Sequence, residues 1–358
     1  MPTFSITIST SDHKAHLMKS SAEAKLVSVG VPIYRRLEYI PSVLEMLEAQ
    51  DYPAIELVIS DNGTNGTKVR DSVQGKYSRP YRFRQNPETV DIATHFNQII
   101  NESSGEYFLM LNDDDEITPN YVSELVGQLE RHPEASFAIA RQEIIDKDGV
   151  LLRKSKGTFP ETLSGPECIR AIWQTFQFGF ECVESIVSRT KFLKADGGYP
   201  NFPKGNCTDN AVLIRLCLRG DAAFSSNCTF RYRLHESGYG WTASIDDLAG
   251  STRQFIRWLD TDPTVEEYAK RNPAQWRELK SLLVSMEWRT YVWRWNDLYK
   301  KRLSGPQWVK AAFAMPFIPA YYRKVGGIFY RALKYRMKRR FQRDSTAEPE
   351  SAITFKGW

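Results

Sequence analysis

From Lys25 onward, short apolar and β-branched runs alternate with stretches in which apolar residues recur every three or four positions. Runs of the first kind predict buried strands, and the 3.6-residue period predicts helices. The runs LVSVGV (26–31), IELVIS (55–60), YRFR (81–84), YFLML (107–111) and SFAIARQEI (136–144) read as strands. Between them, Arg36–Gln50 places Ile40, Val43, Leu44 and Leu47 on one face, and Ile92–Asn101 does the same with Phe96, Ile99 and Ile100. Pro119 opens a third helix, its fixed φ suited to a first turn. Regular alternation of strand and helix marks βαβ units. The predicted fold class is therefore α/β, with a doubly wound, mostly parallel, Rossmann-like sheet.

A second portion, about 160–240, holds a helix near Gly165–Phe176, a buried strand VESIV (183–187), a helix Asp209–Leu218 with Thr208 available as its cap, and an alternating strand TFRYRLH (229–235). Asp148-Gly149 reads as a hairpin turn. Residues 245–299 read as helical and hold Trp258, Trp276, Trp288, Trp293 and Trp295, with no internal repeat. These readings divide the chain into an arm (1–24), a main domain (25–243, in halves 25–131 and 132–243), a helical C-terminal region (244–343) and a disordered end (344–358).

With 358 residues, 42% hydrophobic and 25% charged, the chain is an ordinary folded protein, which excludes collagen-like, coiled-coil and wholly disordered classes. Its net charge of +5 hides a segregation. Met1–Asp297 carries 34 Lys/Arg against 40 Asp/Glu, whereas Leu298–Arg343 carries 13 Lys/Arg and no acid. Within that basic tail, AAFAMPFIPAYY (311–322) is too short to span a bilayer. After it, Val325, Ile328, Phe329, Leu333 and Met337 fall at helical spacing among Arg323, Lys324, Arg331, Lys334, Lys338, Arg339 and Arg340. A basic amphipathic helix of this kind suits an anionic membrane surface. A helix packed on the body is the alternative, and no nucleic acid partner is expected, because no nucleic-acid-binding fold accompanies the tail.

Cys168, Cys182, Cys207, Cys217 and Cys228 form an odd set without metal spacing, which points to free thiols in a reducing compartment. No signal peptide or apolar span of 18 residues occurs. The expected localisation is cytoplasmic, peripherally associated with the inner face of the cytoplasmic membrane.

Ligands of open α/β sheets bind beyond the carboxyl ends of the strands. Pro32-Ile33-Tyr34 follows the first strand, Asp61-Asn62-Gly63 the second, and Asn112-Asp113-Asp114-Asp115-Glu116 the fourth. Four consecutive acids repel one another, so either a divalent cation offsets them or they are solvated. Magnesium or manganese would suit such oxygen donors. A solvated loop leading into the next helix is the other reading that these residues leave open.

The blocks VSVGVPIY, LEYIPSVLEMLEAQDYPAIELVISDNG and HFNQIINESSGEYFLMLNDDDEITPNYVSELV, from Leu26 to Glu130, resemble the family 2 inverting glycosyltransferases of the GT-A fold. SIVSRTKFLKADGGYP, CTDNAVLIRLCLRGD and RYRLHES continue the resemblance to about residue 240, over the family's acceptor-side segment. The resemblance implies a metal-dependent, inverting transfer of a sugar from a nucleotide donor to a hydroxyl acceptor. It places Pro32 and Tyr34 at the base and ribose and Asp61 at the base, with Asn86 as a further donor-site candidate. Asp114 falls on the direct metal ligand, Asp113 on the ribose, sugar or metal, His235 on a histidine assisting the metal or diphosphate, and Asp209 on the catalytic base. The implied cofactor is Mn2+ or Mg2+. The implied partners are a UDP- or dTDP-sugar and a lipid-linked saccharide or polysaccharide acceptor of the lipopolysaccharide, O-antigen or capsule type.

Three positions depart from the pattern: Asn112 stands for an Asp, Thr208 for a Glu and Asp91 near a usual Gly. They motivate one alternative, a catalytically degenerate GT-A protein that binds a nucleotide or a membrane. A sugar-phosphate nucleotidyltransferase would need a Gly-rich loop after the first strand, which VPIYRRLEYI lacks, and no GxGxxG supports a dehydrogenase.

Overall fold

The computed structural model describes residues 24–155, 160–173, 186–234 and 243–302. Four parallel strands, β1 (Val27–Ile33), β2 (Ile55–Asp61), β3 (Tyr81–Gln85) and β4 (Tyr107–Met110), alternate with α1 (Ile40–Glu48), α2 (Lys68–Val73) and α3 (Ile92–Glu102). A short β5 (Glu116–Ile117) and α4 (Tyr121–Arg131) lead into β6 (Ala135–Ile145), β7 (Leu151–Lys154) and β8 (Thr162–Leu163). Then follow α5 (Gly165–Trp173), β9 (Ile186–Arg189), α6 (Thr190–Ala195), α7 (Thr208–Arg219), β10 (Asp221–Arg233), α8 (Ile245–Thr261), α9 (Pro263–Arg271) and α10 (Pro273–Arg302).

The strands form one sheet in the order β3-β2-β1-β4-β9-β6-β10-β5, with β7 on β6 and β8 on β10. Alternate residues of β1, β2 and β4 serve opposite faces. Val27, Val29, Val31, Leu57, Ile59, Tyr107 and Leu109 join the core that α1, α2 and α4 cover, while Val58, Phe108 and Met110 join the core under α3, α5 and α7. Burial on both faces is why these strands read as continuous apolar runs. The sheet is less uniformly parallel than the alternation predicts, because β9 lies antiparallel between β4 and β6. β10 pairs with β6 in parallel over a long register.

Several boundaries move for local reasons. β1 runs on through Pro32, which the sequence places just after the strand. The Gly30 carbonyl accepts from Leu111 N at 2.9 Å on the β4 side, and Pro32, two residues on, points to that same side beyond the last β4 pair, so no partner misses its N–H. Pro119 lies outside α4, its carbonyl accepting from Asp51 N at 2.9 Å. Thr208 is the first residue of α7 and not its cap; its hydroxyl donates to the Pro200 carbonyl at 3.0 Å. Asp91, flagged as a departure near the donor, is the N-cap of α3 and accepts from Thr94 N at 2.9 Å. The Asp148-Gly149 hairpin is present, with Asp146 Oδ1 accepting from the backbone of Asp148 and Val150 at 2.9 Å each.

The chain divides into two compact units at Met286/Glu287. The helices after residue 243 therefore belong largely to the first unit. α8 starts with a reciprocal Ser244/Asp247 capping box. It stacks Phe255 on Trp258 at 5.7 Å and sets both edge-on against Phe202. Among the described residues no helix is long and apolar enough to cross a membrane. The described cysteines, Cys168, Cys207, Cys217 and Cys228, are free. The N-terminal arm up to residue 23, the strand start at 183–185, Cys182, the basic tail and residues 344–358 lie outside the described residues.

Candidate active site

The register of the sheet gathers the ends of four strands. Pro32 lies opposite Ser60 and Ile33 opposite Asp61, while the backbone N–H of Asn86, just past β3, donates to the Asp61 carbonyl at 2.9 Å. Asp61 is fully buried. Its Oδ1 accepts from Asn65 Nδ2 at 3.0 Å and its Oδ2 from Asn65 N at 3.1 Å, so the carboxylate folds the turn 61–65. Gly63 sits in that turn at φ +74°, where a Cβ would come 2.7 Å from the Glu88 backbone. Asn86 is also buried, donating to Asn62 Oδ1 at 3.1 Å and Gln98 Oε1 at 2.9 Å. Asp61 and Asn86 thus build the floor of the β2–β3 end. Tyr34 lies half-buried in the loop after β1, with the Arg35 guanidinium 4.8 Å from its ring. Arg35 takes a left-handed φ of 66°, and its N–H donates to Thr64 Oγ1 at 3.1 Å, tying the β1 loop to the Asp61 turn.

At the end of β4 the acids are buried: Asp113 is 1% exposed, Asp114 8% and Asp115 2%. That excludes the solvated-loop reading and demands counter-charges. Two arginines supply them. Arg36, from the β1 loop, donates through one terminal nitrogen to Asp113 Oδ1 and through the other to Asp114 Oδ2. Arg233, at the end of β10, donates from its backbone N to Asp115 Oδ1 at 2.9 Å and from Nε to the Asp114 carbonyl at 2.8 Å, and it pairs with Glu116. Asn112 Nδ2 donates to Asp115 Oδ2 at 3.2 Å. An aspartate at 112 would there face another carboxylate. Asp115 is accordingly a structural member of the run, and Asp113 and Asp114 face Arg36.

Asp113 Oδ2 is buried without a hydrogen-bond partner. Burial pushes the Asp113 carboxyl up to about 8, helped by the neighbouring Asp114 charge and opposed by Arg36. An orphaned carboxylate oxygen beside a second carboxylate fits a hard divalent cation, which takes one or two carboxylates and completes its shell with phosphate and water. Asp113 and Asp114 are the residues that would hold it. Among the described residues no group of three His, Cys, Asp or Glu side chains forms a fuller cage. His235, the third expected ligand, lies outside the described residues.

Asp209 occupies the first turn of α7 and is half-buried. Its helix start is fixed from α3. Asn97 of α3 clasps the backbone of Tyr199, donating to its carbonyl at 2.9 Å and accepting from its N–H at 2.7 Å. Gly198 precedes it at φ +70°, and a Cβ there would lie 2.1 Å from Asn97 Oδ1. Thr208 then reaches back to Pro200. Arg36 and Arg233 are site-building residues to which the sequence assigns no role. The one local signal was the Arg35-Arg36 pair directly after a strand that ends beside four acids.

Residues 28–193 match the family model for glycosyl transferase family 2. Among curated relatives, an uncharacterized glycosyltransferase of Haemophilus influenzae is 30% identical over 112 residues, 31% of this chain and 37% of its own length. The Campylobacter jejuni GalNAc(5)-diNAcBac-PP-undecaprenol beta-1,3-glucosyltransferase is 25% identical over 138 residues, 37% of this chain and 42% of its own length. The chain spans about a fifth to two fifths of the length of the curated relatives it matches. Among solved structures, S. aureus TarS 1-349 in complex with UDP-GlcNAc superposes with a TM-score of 0.55 at 18% identity, over 69% of this chain and 72% of that one. The mannosyltransferase PcManGT from Pyrobaculum calidifontis, in complex with GDP-Man and Mn2+, gives 0.51 at 13% identity, over 87% and 86%. The strands and helices that carry Asp61, Asp113 and Asp114 thus lie within the stretch that is similar to glycosyl transferase family 2, and the solved structures share their GT-A fold.

Proposed function

We propose that this protein transfers a sugar, with inversion, from a nucleotide donor to a hydroxyl of a lipid-linked saccharide or polysaccharide at a cytoplasmic membrane face. The observation that carries the proposal is the buried pair Asp113/Asp114 just past the end of β4, the neighbour of β1, with one carboxylate oxygen lacking a partner. TarS crystallised with UDP-GlcNAc and PcManGT with GDP-Man and Mn2+ support a nucleotide sugar and a divalent cation as ligands of such a crevice. The C. jejuni relative, named for an undecaprenol-linked acceptor, supports the acceptor class.

In this reading Pro32 and Tyr34 line the base and ribose pocket, and Asp61, with Asn86 beneath it, presents the ordered turn against which the base lies. Asp113 and Asp114 would hold Mn2+ or Mg2+, which when bound would supply Lewis-acid neutralisation of the charge on the departing diphosphate. Asp209 takes the proton of the acceptor hydroxyl as that oxygen attacks the sugar from the face opposite the leaving group. His235 assists at the diphosphate. A UDP- or dTDP-sugar is the first donor to test.

The test is thermal stabilisation of the full chain by UDP, dTDP, GDP and CDP sugars, with and without MnCl2. A ligand held at about 100 times its Kd adds about 2.7 kcal/mol, which a melting curve resolves. One nucleotide should raise Tm in a manganese-dependent way, and Asp114→Ala should remove the shift. The absence of a shift with every donor, with or without manganese, would overturn the donor-site reading.

A further inference from the structure

Arg36 holds a position that the donor reading alone does not explain. Its guanidinium straddles the acid pair, one nitrogen on each carboxylate, and at 27% side-chain exposure it lies on the solvent side of carboxylates that are 1% and 9% exposed. Asp113 Oδ1 and Asp114 Oδ2 are both taken by its guanidinium. Arg35, directly before Arg36, has a left-handed φ of 66°, a strained conformation that persists only where its surroundings hold it. The Tyr39 ring flanks the fork, its centroid 6.0 Å from the Arg36 guanidinium carbon and 5.5 Å from that of Arg233.

Two buried carboxyl groups ionise together only beside a cation, and a divalent ion and a guanidinium held on the same two carboxylates repel each other. A guanidinium released beside a diphosphate has a bidentate partner at hand. We infer that Arg36 is a displaceable counter-ion: it neutralises Asp113 and Asp114 while no divalent cation is bound, cedes them when the cation enters, and turns its fork onto the donor diphosphate. The inference rests on the donor-site reading and adds a competition between one side chain and the metal.

The experiment titrates MnCl2 alone into chelator-stripped full-length protein by calorimetry, then UDP at saturating Mn2+, for wild type, Arg36→Gln and Arg36→Lys. Without its competitor, Arg36→Gln should bind Mn2+ about tenfold tighter and UDP about tenfold weaker. Its metal-free Tm should fall below wild type and recover more strongly on adding Mn2+. Arg36→Lys, with a single point charge, should shift both affinities in the same directions by less, and it carries the test if the glutamine variant does not fold. Equal or weaker Mn2+ binding by the variants overturns the competition, and unchanged UDP affinity overturns the transfer of the fork to the diphosphate. Manganese-independent UDP binding by wild type sinks this inference but leaves the donor site standing. Failure of wild type to bind Mn2+ or any nucleotide sinks both.

Discussion

Asp209 and His95 show how differently a single titratable side chain can serve one fold. Asp209 stands half-buried at a helix start, where a carboxylate can meet an acceptor hydroxyl. Asp209→Asn should leave the nucleotide-induced Tm shift intact and lower transfer by about 10² to 10⁴. Transfer within a few fold of wild type would remove the base assignment. His95 is 2% exposed in α3, its Nε2 lying 2.9 Å from Ser60 Oγ beneath the β2 end. Burial lowers its pKa to about 4 from 6.5, so in the fold it stays neutral where the unfolded chain would be protonated. Between those values the unfolded state binds the extra proton. Stability is therefore whole above pH 6.5 and declines as pH falls toward 4, by about 3 kcal/mol at most. His95→Gln should flatten that limb of a plot of urea midpoint against pH. An unchanged slope would assign the acid sensitivity to other groups.

At the scale of elements, α7 carries Asp209 and is braced by a buried ion pair. Arg215 donates from Nε and a terminal nitrogen to Asp262 Oδ2 at 3.0 and 2.5 Å, and from its other terminal nitrogen to the Gly198 carbonyl at 2.7 Å. Asp262 Oδ1 meanwhile caps α9 through Thr264 N and Val265 N at 3.2 Å. One carboxylate thus joins α7, α9 and the turn that Asn97 clasps. Asp262→Ala would leave a buried guanidinium unpaired, and a loss of about 3–5 kcal/mol in urea unfolding is expected. Lys270→Ala removes only an exposed i,i+4 partner of Glu266 and should cost under about 1 kcal/mol. Equal losses would mean that the pair does not brace α7. None of this bracing is written locally, because Arg215 and Asp262 are 47 residues apart. The helices themselves were legible, since their apolar stripes set them whatever their partners.

For the whole molecule, the acidic body and the basic run from Leu298 to Arg343 suggest a division of labour between sugar chemistry and membrane attachment. Deleting residues 311–358 should abolish pelleting with phosphatidylglycerol vesicles and leave the nucleotide-dependent Tm shift unchanged. Undiminished pelleting would sink the tail hypothesis. The surface of the first unit offers a second apolar feature. Val150, Leu151 and Leu152, at the β6–β7 hairpin, are exposed, and Arg233 ties that hairpin to the acidic run through the carbonyls of Asp146 and Lys147. Vesicle binding that survives the deletion would direct attention there.

By itself the sequence determined the strands at 27–33, 55–61 and 107–110 to within about two residues, because burial on both faces leaves short continuous apolar runs; the strand at 81–85, exposed at its ends, was legible from its alternation. It also determined that Asp61, Asp113 and Asp114 stand at strand ends, and hence at the carboxyl end of one sheet. Contacts between distant parts of the chain decided the rest. The direction of β9 depends on which strands flank it, and the roles of Asn112 and Asp91 depend on Asp115 and Thr94 as hydrogen-bond partners. Arg36 reads in the sequence as one more basic loop residue. Only the fold brings it across 77 positions onto Asp113, because a buried carboxylate must find its counter-charge in space and not along the chain.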